Sequence, residues 1–254
     1  AKYSGQETSA LMHSIMGKWE VANTNFSELI SGENINPDNS KPYPFCLAYP
    51  IEKEPEELGD INEWQAEYKW DGIRGQFIKR NDEVFIWSRG EELVNAQFPE
   101  LVEAFSKLEG DFVLDGEILA VLDEKVLNFN ELQKRLNRKT ISAKMMREIP
   151  IQTFVYDILE LDGKDLRNLE LLERRLLLEN LIINNPIDNI KIPELVFGKD
   201  WAELAVAREN SRDNNSEGLM LKHKKSLYHS GRKKGDWWKW KVEPLTIDAV
   251  LIYA

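Results

Sequence analysis

The sequence predicts an α+β fold of mainly antiparallel sheets flanked by helices. Two periodicities and their order carry that expectation. Residues 63–68 alternate, with Trp64, Ala66 and Tyr68 apolar and Glu63, Gln65 and Glu67 polar, the period of a half-buried strand. Phe98, Leu101, Val102, Phe105 and Leu108 recur instead at helical spacing. Further along the chain, runs of several strands are interrupted by helices, the pattern of α+β proteins.

The elements follow in order. Residues 1–60 carry Asn, Ser, Pro and Gly clusters, with one short helix expected over 8–19, and read as a connecting arm that ends in the Pro-rich segment 41–45. The strand at 63–68 delivers Lys69 to its end, ahead of a turn at Asp71-Gly72. A short strand is expected at 85–87. The helix through Phe98 and Leu108 stops at Gly110. Strands are expected at 112–122 and 153–161, the second ending at Asp162-Gly163, with helices between them at 129–136 and 143–147. A helix over 166–183 places Leu169, Leu172 and Leu176 on one face, and another covers 201–210. Strands at 218–222 and 237–243 complete the chain. There is no internal repeat and no low-complexity tract.

At 254 residues the chain makes one large domain or two small ones, with enough length for a substantial core. Its 42% hydrophobic and 30% charged composition is that of a soluble globular protein. No run of 18 apolar residues occurs, so no membrane span is expected. The polar start from Ala1 to Gln6 shows no signal peptide, and its lack of Met points to an excised or processed chain. Cys46 is the single cysteine, which rules out an internal disulfide and fits a reducing cytoplasm. With only His13, His223 and His229 beside it, a Cys-rich zinc site is excluded. The net charge of −11 opposes nonspecific nucleic-acid binding. The charge is uneven, however: from Lys222 to Lys241 eight basic residues stand against Asp236 alone. An acidic body with one basic segment fits phosphate binding at one place.

Lys69 sits two residues before the Asp71-Gly72 turn and five before Arg74. On a strand, Glu67 and Lys69 point to the same side, so an amine is held beside a carboxylate. Ser88-Arg89-Gly90 leads an arginine into a glycine turn, where it can reach a ribose or phosphate. Asp115 and Glu117 share one strand face around Gly116 and need a metal ion, a basic partner or water. Tyr156, on the same side as Phe154, can stack on a purine or simply fill the core. Glu217 opens a strand that Lys222 ends. Lys239 and Lys241 share the face opposite Trp238, Trp240 and Val242, and inside a cleft they would need anionic company. Each motif by itself also fits an ordinary turn or amphipathic strand.

Their order is more specific. Lys-x-Asp-Gly-x-Arg, Ser-Arg-Gly, Asp-Gly-Glu, Tyr-Asp, Glu-Gly-x-x-x-Lys and Lys-x-Lys resemble motifs I, Ia, III, IIIa, IV and V of the covalent nucleotidyltransferases. That superfamily comprises DNA ligases, RNA ligases and mRNA capping enzymes. The phrases at 42–48, 87–93, 132–139 and 235–241 are similar to the adenylation domain of ATP-dependent DNA ligases, in a bacterial subgroup often called ligase B. The resemblance covers about residues 42–254.

It implies an ATP-grasp-like domain over 42–245 with a nucleotide cleft between its sheets. Residues 1–41 would be the linker or tail of a preceding DNA-binding domain, and 246–254 the start of an OB-fold domain that carries motif VI. By the same resemblance, Lys69 is the nucleophile that takes AMP from ATP and passes it to a 5′-phosphate at a nick in double-stranded DNA. Its ordinary pKa of about 10.4 leaves it mostly protonated, and Arg74, Lys239, Lys241 and magnesium would favour the neutral amine. Glu67 would contact the adenine edge and Tyr156 its face. Arg74 and Arg89 would hold ribose or phosphate. Glu117 and Glu217 would act on the ribose and on Mg2+. Lys222, Lys239 and Lys241 would bind the phosphates. The expected protein is a cytoplasmic monomer with no membrane partner. A capping-type or RNA-ligase activity, or a nonenzymatic nucleotide- or DNA-binding module, remains open at this point. An NAD-dependent ligase fits less well, because that family usually lacks the arginine at position 74 and adds a Cys-rich zinc module.

Overall fold

The computed structural model describes residues 39–243. The expected helix at 8–19, nearly all of the arm at 1–41 and the expected OB-fold start at 246–254 lie outside the described residues.

The larger sheet has seven strands. Its path is β10 (Ile190–Lys191), β8 (Ile151–Leu161), β6 (Phe112–Leu122), β4 (Ile73–Arg80) and β5 (Glu83–Ser88), with β7 (Lys125–Val126) on β6 and β9 (Lys164–Asp165) on β8. The smaller sheet has five strands: β11 (Leu195–Val196), β3 (Trp64–Trp70), β12 (Ser216–His223), β14 (Trp237–Lys241) and β2 (Tyr49–Pro50). β1 (Cys46–Leu47) and β13 (Gly231–Arg232) form a separate pair. Only the pairs β1–β13, β10–β8 and β14–β2 are parallel, so the sheets are mainly antiparallel as expected.

Side-chain alternation gives the larger sheet two different faces. On one, Phe77, Leu114, Ile118 and Val155 pack against helices α1 (Pro99–Ser106) and α4 (Leu171–Asn184) through Leu101, Phe105 and Leu178. Phe77 and Phe105 stack with ring centroids 4.6 Å apart. Lys79 also points this way, and its Nζ donates to the carbonyl oxygens of Ser106 at 3.3 Å and Leu108 at 2.6 Å. A buried cation thus satisfies carbonyls just past the C-terminus of α1. The opposite face carries Ile78, Phe85, Trp87, Val113 and Leu159 and meets Cys46, Tyr228 and Trp237. α5 (Trp201–Glu209) covers the smaller sheet, packing Trp201 and Leu204 on Trp64, Ala66, Leu219, Leu221, Trp238 and Trp240. The remaining helices, α2 (Phe129–Leu136) and α3 (Ala143–Glu148), lie between β6 and β8 in sequence.

Two elements differ from expectation. The helix expected over 166–183 begins at Leu171. Leu166 instead bonds its N–H to the carbonyl of Leu159, and Glu173 accepts the Glu170 N–H at the helix start. Its buried face is Leu171, Arg174, Arg175, Leu178 and Ile182, so Leu172 and Leu176 face outward. Arg174 determines this rotation, because it forms a fully buried pair with Asp157, Nε to Oδ1 at 2.7 Å. The strand β4 has no counterpart in the sequence reading. Arg74, Gln76, Lys79 and Arg80 interrupt its apolar pattern, and most of its residues are buried.

Candidate active site

The two sheets enclose a cleft of about 600 Å³, lined from β3, β4, β6, β8, β12 and β14. All ten residues singled out from the sequence line it: Glu67, Lys69, Arg74, Arg89, Glu117, Tyr156, Glu217, Lys222, Lys239 and Lys241.

Lys69 is the penultimate residue of β3, and the Asp71-Gly72 turn returns the chain into β4. Gly72 is required there, since a Cβ would stand 2.4 Å from the Ile118 carbonyl oxygen of β6. The Lys69 ammonium bonds the carboxylate of Glu217, and Lys241 Nζ bonds the same oxygen at 3.0 Å. Burial alone would raise the Glu217 carboxyl, but Lys69 and then Lys241 outweigh it and hold it below its ordinary range. A bulge between Ser216 and Leu219 aims Glu217 at the lysines. Gly218 permits the bulge at φ +132°, where a Cβ would lie 2.2 Å from the Trp240 carbonyl oxygen.

Arg74 is committed to structure. It clamps Asp115 through Nε at 3.1 Å and Nη2 at 2.6 Å, and donates Nη1 to the Cys46 carbonyl at 2.7 Å. Tyr228 donates its hydroxyl to Asp115 at 2.6 Å. Asp115 therefore meets a basic partner, the second of the three reasons open from sequence, and is fully buried. Burial opposes the Arg74 charge, but Asp115 outweighs it and holds the guanidinium pKa above its ordinary value.

Glu117 lies two residues on, on the same strand face, and is only partly covered. Burial pushes its carboxyl up to about 8, against the lowering pull of Arg74 and Lys69. No described side chain bonds to it. Lys239 is its cationic counterpart. It makes no ion pair among the described residues, and burial followed by Arg232, Lys241, Lys69 and Arg89 pushes its pKa down. Asp71, beside the lysine, is pushed up by burial and then by Glu217.

At the other end, Glu67 and Lys222 are both buried and bond at 2.7 Å, with Gln65 donating to the second Glu67 oxygen at 2.6 Å. Lys222 Nζ also stands 4.2 Å from the Tyr156 ring centroid and 4.7 Å from that of Trp237. Lys222, expected to bind phosphate, lines the cleft and braces Glu67 beneath the aromatic wall. Tyr156 reaches the cleft through another bulge, where β8 holds one residue more than β6 between Asp157 and Val155. Sequence reasoning missed Trp237, Met220 and Arg232 as wall residues, because each reads as ordinary strand or loop.

The cleft thus has an aromatic end with a braced carboxylate, and a cationic end where Lys239 and Arg89 have no side-chain partner among the described residues. It fits a nucleotide, base at one end and phosphates at the other. Magnesium needs only one or two carboxylates beside phosphates and water, and Glu117 and Glu217 are the carboxylates of the cleft that could hold it. No larger cluster of His, Cys, Asp and Glu occurs among the described residues. None of the described helices is long and apolar enough to cross a membrane.

The chain matches the ATP dependent DNA ligase domain family over residues 46–241. A probable DNA ligase of Koribacter versatilis is 34% identical over 231 residues, covering 83% of this chain but 40% of that protein. A DNA ligase of Aeropyrum pernix is 34% identical over 200 residues, covering 74% of this chain and 33% of the relative. Among solved structures, a mycobacterial DNA ligase D complexed with ATP and MES aligns with TM-score 0.61 and 29% identity, over 78% of this chain and 60% of that one. The fold, the order of the motifs and their convergence on one cleft agree with these likenesses, and the chain belongs to the ATP dependent DNA ligase domain family.

Proposed function

We propose that this chain forms a covalent lysine–AMP from ATP on Lys69, the first step in sealing a nick in double-stranded DNA. The observation that carries the reading is the convergence of the ten cleft residues around the Lys69 amine. In the reaction, the Lys69 nitrogen bonds the α-phosphorus and pyrophosphate leaves with the electrons of the broken P–O bond. The amine must first give up its bond to Glu217 and release a proton to water. Incoming phosphates offer both Lys69 and Lys241 competing anionic partners, which weakens the hold of the Glu217 carboxylate on the Lys69 amine. Lys239, Lys241 and Arg89 stabilise the charge that develops on the phosphates. Glu117 and Glu217 would hold a magnesium ion, which would add positive charge to offset the negative charge of the phosphates. Tyr156 and Glu67 orient the adenine. The AMP then passes to a 5′-phosphate on DNA, the second substrate.

Intact-mass measurement after incubation with ATP and magnesium tests the first step. One AMP is expected on the parent chain and none on Lys69→Ala. A label on Lys239 or Lys241, undiminished labelling of Lys69→Ala, or labelling from GTP in place of ATP would sink the reading.

A further inference from the structure

Residues 39–51 cross from the larger sheet to the smaller one. Pro42 and Pro44 lack an N–H and keep the chain extended, so this stretch cannot join a ladder as a regular strand. Its carbonyl groups still need donors, and side chains supply them. Arg80 Nη1 donates to the carbonyls of Asn39 at 3.1 Å and Lys41 at 3.0 Å. Trp87 Nε1 donates to the Ser40 carbonyl at 2.6 Å. Gln76, fully buried, does for Tyr43 what a neighbouring strand would do. It accepts the Tyr43 N–H and donates to the Tyr43 carbonyl, both at 2.7 Å. Tyr43 donates its hydroxyl at 2.6 Å to Glu160, which the Arg80 guanidinium also clamps. Arg74 completes the series on the Cys46 carbonyl. The polar side chains of β4, out of place on a buried strand, are thus the seat of a strap.

Beyond the seat, β1 pairs Leu47 with Arg232 of β13. β2 then joins β14 of the smaller sheet, and the Ile51 N–H donates to the Lys239 carbonyl at 3.0 Å. Between the two attachments, Leu47 and Ala48 line the nucleotide cleft. The strap is therefore fastened to both sheets, and the part that spans them is cleft wall.

We propose that Gln76, Tyr43 and Arg80 are positioning residues for nucleotide binding. They seat the strap, and the seated strap presents Leu47 and Ala48 to the nucleotide. None of the three lines the cleft. The proposal rests on the adenylation reading and adds residues outside the cleft that set its affinity. Only the seated fraction of the protein is competent to bind, so unseating raises the apparent Kd in proportion. By linkage, nucleotide favours seating by the same factor. An apolar wall opposes none of the charge that develops on the phosphates, so it contributes to affinity and not to the rate once ATP is bound.

The test uses two variants. Gln76→Leu leaves the Tyr43 peptide groups buried without partners, which lifting the strap into water relieves. Tyr43→Phe is milder, removing the bond to Glu160 but keeping the ring that lies 4.0 Å from the Arg167 guanidinium. Three quantities are measured: the Kd of a non-hydrolysable ATP analogue, the rate of Lys69 labelling at saturating ATP, and amide exchange over 43–49. Gln76→Leu is expected to weaken analogue binding roughly tenfold and Tyr43→Phe about twofold, each with faster exchange over 43–49. The labelling rate at saturating ATP should stay at the parent value in both, which also reports an intact fold. Analogue should slow exchange over 43–49 in the parent. Faster exchange with unchanged Kd would overturn the proposal, because the strap would then be structural only. Unchanged exchange in both variants, or a lowered rate at saturation with unchanged Kd, would overturn it too. Should Gln76→Leu fail to fold, Tyr43→Phe decides by the same criteria. Absence of analogue binding by the parent would overturn the adenylation reading, and this proposal with it.

Discussion

Glu117 is a cleft carboxyl whose charge is opposed by its burial. Its carboxyl, ordinarily near 4.5, is raised to about 8. Folding therefore favours the protonated form, and the folded state binds more protons than the unfolded one between those values. Stability should fall as pH rises from 4.5 to about 8 and level off above. Glu117→Gln removes this term. The variant is expected to match the parent near pH 4.5 and to exceed it above pH 8, by urea unfolding at both. A parent–variant difference independent of pH would refute the assignment. The same raised pKa means that a cation bound by Glu117 must displace a proton over most of the neutral range. The carboxylate was legible in sequence as a candidate. The upward shift of its pKa was not, since that depends on burial in the folded cleft.

Among the elements, α4 shows why a sequence pattern can misplace a face. Leu169, Leu172 and Leu176 recur at helical spacing, yet Leu172 and Leu176 are exposed and Arg174 is buried. The pair between Arg174 and Asp157 outweighs apolar patterning because an unpaired charge in that position would be far more costly than two exposed leucines. Asp157 also adjoins Tyr156 at the β8 bulge, so the pair anchors the strand that carries the aromatic wall. Asp157→Asn should destabilise the fold by about 3–5 kcal/mol, the cost of leaving a buried charge without its partner. Adding Arg174→Met should recover part of that loss. Denaturant unfolding of both single variants and the double variant measures the coupling, and strictly additive losses would show that the two side chains act independently. β4 was illegible for a related reason. Three of its four even positions, Arg74, Gln76 and Arg80, are polar yet share the strand face of buried Ile78, where Asp115, Tyr43 and Glu160 meet them.

At the scale of the molecule, the cleft exists only where the two sheets face each other. A ligand that bridges them must stabilise the whole described fold. A non-hydrolysable ATP analogue at about a hundredfold over its Kd should raise unfolding free energy by about 2.7 kcal/mol. Tyr156→Ala should weaken analogue binding by about 1–3 kcal/mol and reduce that stabilisation at the same concentration. Thermal unfolding with and without analogue decides it. Equal stabilisation of parent and variant would remove Tyr156 from the pocket.

The sequence alone determined the α+β class, the central strands at 112–122 and 153–161 and the helix at 129–136. Those patterns are local and need no partner to be read. The order of the motifs, through the family it resembles, also singled out ten residues that all line one cleft. Tertiary structure decided which of those residues are free to act. Arg74 pairs with Asp115 and Lys222 with Glu67, Lys239 has no ion-pair partner among the described residues, and Glu217 holds two lysines at once. None of these pairings is local. Lys69 and Glu217 lie 148 residues apart, and Lys222 and Glu67 lie 155 apart. Charges so distant in sequence choose partners only when the sheets close and desolvate them together, and no spacing along the chain records that choice.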